Sequence, residues 1–66
     1  MTIGEQIRNR RRKLGLTQAA LAERVGMAQA TICQIERGRH EPIPATARAI
    51  AAALGCRYSQ RMEALC

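Results

Sequence analysis

The sequence contains neither tryptophan nor phenylalanine, and Tyr58 is its only tyrosine. Any core must therefore be aliphatic, assembled from Ile, Leu, Val, Ala and Met. With 66 residues the chain reads as one domain, residues 1–66. A domain of this size buries only about 60% of the surface exposed by its unfolded chain, which leaves little room for an enclosed catalytic pocket. No apolar run is long enough to span a bilayer or to act as the apolar region of a signal peptide. Nor is there a long helix with one strongly apolar face that could lie on a membrane. The expected location is the cytoplasm, with no membrane partner.

Acidic residues are scarce as well. Five Asp and Glu stand against eleven Lys and Arg, for a formal net charge of +6. Such an imbalance serves solubility, and it is also the electrostatic footprint of a domain that binds a polyanion. The three cysteines, Cys33, Cys56 and Cys66, form no CxxC pair and have no histidine at ligand spacing. In a reducing compartment they read as free thiols. Cys56, after Gly55, is expected to be packed and Cys33 to lie on the outer side of its helix. Cys66, at the chain end, is open to oxidation between two chains. His40 is a lone imidazole in a polar loop, at most a neighbour of a phosphate. No spacing makes a triad, a dyad or a metal site, so an enzyme, a metal and a cofactor are not expected.

What is present is rich in Ala, Leu, Arg, Gln and Glu and lacks alternating β-branched runs, so the fold class is all-α. The chain is organised around residues 17–38, TQAALAERVGMAQATICQIERG. Thr17 is placed to cap a helix whose Leu21 and Val25 share a face. Gly26 follows at once, where a left-handed residue reverses the chain. Ile32 and Ile35 form the apolar stripe of a second helix, about 28–37, which Gly38 stops. Helices this short must pack on one another, and Ala22 suits a close crossing. The pattern describes a helix-turn-helix.

On either side, the elements are equally legible. Thr2-Ile3-Gly4-Glu5 has capping-box spacing and opens a helix running to about Leu14, with Ile3, Ile7 and Leu14 on its core face. Arg8, Arg12 and Lys13 read as a solvated face, whereas Arg11 falls at the edge of the apolar stripe, where a charge is costly without a partner. Gly15 ends this helix and Leu16 fills the core behind it. After the short loop 39–44, whose Pro44 opens a fourth helix, the helix continues from Ala45 to Leu54, with Ile50 and Leu54 inward and Gly55 as cap. Over 56–66, Ser59 is a plausible cap for a fifth helix with Met62 and Leu65 on one face, and this tail is also open to a dimer contact.

Gly15-Leu16-Thr17-Gln18, Leu21-Ala22, Gly26 and Ile35-Glu36-Arg37-Gly38 resemble the phage-repressor or Cro-like helix-turn-helix family, also called XRE. The resemblance runs from about Ile3 to Gly55. It implies a lambda-repressor-like compact bundle of four to five short helices, with the helix-turn-helix as helices 2 and 3. It implies a sequence-specific regulator of transcription, of the repressor type, that acts on double-stranded DNA near the nucleoid. A homodimer on an inverted repeat is the expected assembly. The family also includes antitoxins and adaptors, so a protein-interaction module is the alternative.

Carried over by position, base readout falls to Ala28, Gln29, Ala30, Thr31 and Gln34. Phosphate contacts fall to Thr17, Gln18, Arg37 and Arg39, with Arg11 close enough to touch one. Arg11 and Glu36 are implied to form a structural ion pair. Where relatives often begin the recognition helix with a polar pair, this chain has Ala28 and Ala30, which cannot hydrogen-bond through their side chains.

Overall fold

The computed structural model describes residues 2–56 in full and the backbone of 58–59 and 64–65. Among these residues the chain runs through helices α1 (Ile3–Lys13), α2 (Gln18–Val25), α3 (Gln29–Glu36) and α4 (Pro44–Ala53), then strands β1 (Tyr58–Ser59) and β2 (Ala64–Leu65).

Three of the four described helices start where local chemistry favours it. The Thr2 hydroxyl accepts from the Glu5 backbone N–H at 3.1 Å and donates to the Glu5 carboxylate at 3.2 Å. Thr17 caps α2 by accepting from the Ala20 N–H at 3.0 Å, and Pro44 occupies the first turn of α4, where its missing N–H is harmless. The turn of the motif depends on Gly26, at φ +74°. With that left-handed residue, the Met27 N–H reaches back to the Ala22 carbonyl at 2.9 Å and the Gly26 N–H to Glu23 at 3.3 Å. This pair of bonds satisfies carbonyls that the end of α2 would otherwise orphan. Met27 then folds onto the core.

The core gathers Ile7 of α1, Leu21 and Ala22 of α2, Ile32 and Ile35 of α3, and Ile50, Ala51 and Leu54 at the end of α4. Ile3, Leu16, Val25, Met27, Ala53 and Cys56 pack around it. Each fully buried Ile or Leu contributes roughly 1.5–3 kcal/mol, so a handful of aliphatics supports the whole domain. Ala22, 3% exposed, lies where α2 packs on α3.

Three expectations change. Leu14 is 45% exposed rather than on the core face. It is the cap residue of α1, the chain turns away at Gly15, and Leu16 takes the inward place. The fifth helix over 56–66 is not what the described backbone forms. Tyr58 pairs with Leu65 and Ser59 with Ala64 in an antiparallel ladder, with β2 beside α1 and β1 beside α4. In the ladder the backbone polar groups of these residues find partners across the two strands instead of within a helical turn. The side chains of Ser59, Met62 and Leu65 lie outside the described residues. Finally, Cys56 is disulfide-bonded while Cys33 is free, so the three cysteines are not all thiols. Cys66 lies outside the described residues.

Candidate nucleic-acid interface

Sequence periodicity divides α3 into two faces, and packing leaves them in different environments. Ile32 and Ile35 are at most 1% exposed, whereas Ala28, Gln29, Ala30 and Gln34 face solvent and Thr31 is half-buried. Ala28 precedes the first turn and offers no side-chain cap, while its carbonyl accepts from the Thr31 and Ile32 N–H groups at 3.1 and 3.3 Å. Arg37 and Arg39 follow the helix and are exposed. The Arg39 N–H donates to the Gln34 carbonyl at 2.9 Å, folding the chain back beside the outer face. Ala30, Thr31, Gln34, Arg39 and His40 together line a shallow depression of about 370 Å³. Thr17 is exposed at the start of α2.

Behind this surface lies a buried polar cluster centred on Glu36, which is 2% exposed. Arg11 Nε donates to Glu36 Oε2 at 2.7 Å and Arg11 Nη2 to Oε1 at 3.0 Å. Arg11 Nη1 donates to the Leu16 carbonyl at 2.8 Å. Gln18 Nε2 donates to Glu36 Oε1 at 3.1 Å. Burial alone would push the Glu36 carboxyl up. The hydrogen bonds from Arg11 and Gln18, with the charges of Arg11 and Arg8, outweigh it and hold the carboxyl below its ordinary range. The hydrogen bond to Glu36 in turn raises the Arg11 guanidinium above its usual value. The arrangement ties α1, α2 and α3 into one unit, because each contributes a side chain to it.

Two of the residues expected at phosphates belong to this cluster. Arg11 is 8% exposed, with its guanidinium bonded to Glu36 and to the Leu16 carbonyl, so it holds α3 against α1. Gln18 directs its side-chain amide inward to Glu36.

Several residues here were not singled out by the sequence. Arg8 is not simply solvated: its Nη2 donates to the Glu36 carbonyl at 3.3 Å and its Nε lies 3.6 Å from Glu36 Oε1. It therefore caps the end of α3. The available signal was its spacing from Arg11, three residues apart on one helix face. Arg10 Nε donates to the Leu54 carbonyl at 3.1 Å, tying α1 to the end of α4, and no local pattern announces this. Gly4 is buried, and a Cβ there would run into the Ile35 carbonyl oxygen and crowd Glu36. A glycine within a helix is costly without such a reason, and that cost was its signal. Arg8, Arg37 and Arg39, with Thr2 and Glu5, line a second groove of about 480 Å³ beside the first.

Among the described residues no group of His, Cys, Asp and Glu could hold a metal ion, and no helix is long and apolar enough to cross a membrane.

Comparison with known proteins gives a consistent result. A family model described as helix-turn-helix matches residues 7–60. The chain is 53% identical over 49 residues to an uncharacterized HTH-type transcriptional regulator of Methanothermobacter thermautotrophicus, covering 74% of this chain and 71% of that protein. It is 39% identical over 59 residues to the immunity repressor protein of Bacillus phage phi105, covering 89% of this chain and 41% of the repressor. Among solved structures it is similar to the P22 c2 repressor in complex with a synthetic operator. The TM-score there is 0.80 at 43% identity, over 85% of each chain. With a matching family model over most of its length, four helices in the same arrangement and a helix-turn-helix at α2–α3, this chain belongs to the phage-repressor or Cro-like (XRE) helix-turn-helix family.

Proposed function

We propose that the chain is a sequence-specific DNA-binding regulator of transcription, of the repressor type, that reads the major groove with α3. The observation that carries this reading is the division of α3 into a buried face, Ile32 and Ile35, and an exposed one, Gln29, Ala30 and Gln34, ending in exposed Arg37 and Arg39. The similarity to the operator-bound P22 c2 repressor supports it.

The major groove admits one α-helix and presents a distinct pattern of donors and acceptors at each base pair. Gln29 is our first assignment for direct readout, since a glutamine amide pairs with adenine N6 and N7 together. Gln34, on the same exposed side, is the second. Ala28, Ala30 and the methyl of Thr31 meet thymine methyl groups without hydrogen-bonding through an amide. Phosphates are held by the first-turn N–H groups of α2 beside Thr17 and Gln18, where the helix dipole favours an anion, and by Arg37 and Arg39. Such contacts set register and orientation and carry no sequence information. Arg11 and Glu36 act behind them by fixing the angle between α1 and α3.

So few base contacts make a weak half-site. A homodimer on an inverted repeat, with half-sites about 34 Å apart, doubles the contacts and follows from the docking geometry of helix-turn-helix proteins. The test is selection of bound fragments from a random duplex pool, followed by sequencing. The expected result is an enriched inverted repeat with fixed spacing. No enrichment at moderate salt would overturn the reading and direct attention to a protein partner, sought by affinity capture.

A further inference from the structure

We infer that His40 is a further DNA contact and that it makes affinity depend on pH; this rests on the reading of α3 as the DNA-facing helix. His40 is exposed and borders two depressions at once. One, of about 370 Å³, it shares with Ala30, Thr31, Gln34 and Arg39 on the outer side of α3. The other, of about 200 Å³, it shares with residues at the start of α1, Thr2, Ile3 and Gly4, and with Ile35, Gly38 and Glu41. The backbone brings it there. The Gly38 N–H donates to the Ile35 carbonyl at 3.0 Å and the Arg39 N–H to Gln34 at 2.9 Å, so the chain turns back over the end of the helix instead of leading away. The imidazole therefore stands on the ridge beside the base-facing residues, where a phosphodiester bordering the groove would pass.

Among the described residues, two charged side chains line these depressions with it. Arg39 faces it from the first depression and Glu41 from the second. The residues that α1 and α3 contribute to these two surfaces carry no charge. Arg8, Arg37, Glu5 and the already paired Glu36 lie in the adjoining groove. Histidine is the side chain whose charge ordinarily changes between pH 5 and 8. A phosphate oxygen next to it favours the imidazolium, so binding takes up a proton from solvent. By linkage, affinity then falls as pH rises through that range, by at most about tenfold per pH unit for one group.

The test measures affinity of the full chain for the enriched duplex and for a random duplex of equal length, by fluorescence anisotropy at fixed ionic strength. The range from about pH 5.5 to 7.5 stays below the ordinary titration of a thiol, about 8.5. The expected result is a loss of about three- to tenfold on both duplexes as pH rises. His40→Gln is expected to flatten the profile. His40→Arg is expected to flatten it too, while binding more tightly than the parent at the upper end. Because the site is exposed, all three proteins are expected to melt alike. A flat parent profile, or an undiminished slope in His40→Gln, overturns the inference and leaves the DNA reading standing. A parent that binds neither duplex at any pH overturns both.

Discussion

Arg11 and Glu36, 25 positions apart in the chain, meet side-on through two hydrogen bonds of 2.7 and 3.0 Å inside the domain. The contact fixes α1 against the end of α3, and Gln18 joins it from α2 at 3.1 Å. A bidentate arginine–carboxylate pair has a preferred geometry as well as a charge, so it sets an angle between helices that aliphatic contacts alone leave free.

Removing one partner of this pair tests its weight. Glu36→Ala leaves the Arg11 guanidinium buried without its carboxylate, at an expected cost of about 3–5 kcal/mol. Urea denaturation monitored by far-ultraviolet circular dichroism measures it. A midpoint unchanged from the parent would show that the pair contributes nothing net.

Acid should act through the same group. The folded-state pKa of Glu36 is lowered, so its contribution to stability is present above the ordinary carboxylate value, about 4.3. It is lost as pH falls through the lower, folded value. Melting temperature is therefore expected to drop below about pH 4.5. In Glu36→Gln, which has no proton to take up there, that acid limb is expected to be shallower. Parallel acid limbs in the two proteins would assign the effect to other carboxylates.

Base readout and phosphate contact separate by mutation. Gln29→Ala is expected to cost roughly 1–3 kcal/mol at one base pair of the enriched site and little on random DNA. Arg39→Ala is expected to weaken both duplexes alike and to reduce the salt slope by about one. Equal losses on both duplexes for Gln29→Ala would remove it from direct readout.

Gly4 makes a prediction of a different kind. A methyl there meets the Ile35 carbonyl oxygen, which is backbone and cannot swing aside. Gly4→Ala, a change that favours helix in isolation, is expected here to destabilise by about 1–3 kcal/mol through overpacking. Thermal unfolding is the measurement, and a rise in melting temperature would show that α1 shifts without penalty.

The helices were legible because their signals are local. Thr2 and Thr17 as caps, Gly26 as the left-handed stop, Pro44 at a first turn and the spacing of Ile32 and Ile35 each act within one or two turns of chain. The outer face of α3, with Gln29 and Gln34, follows from the same periodicity once the inner face is known. The Arg11–Glu36 pair was suggested by family resemblance rather than spacing, because nothing local links residues on different helices.

Tertiary structure alone decided the rest. Whether Leu14 turns inward depended on where the chain leaves α1, and the ladder of Tyr58–Ser59 with Ala64–Leu65 depended on what the end of the chain meets beside α1 and α4. Arg8 on the Glu36 carbonyl, Arg10 on the Leu54 carbonyl and Gly4 against Ile35 are contacts between segments far apart in sequence. Periodicity places a residue on a face of its own helix. Which orphaned carbonyl or crowded backbone that face meets is set only when the helices dock.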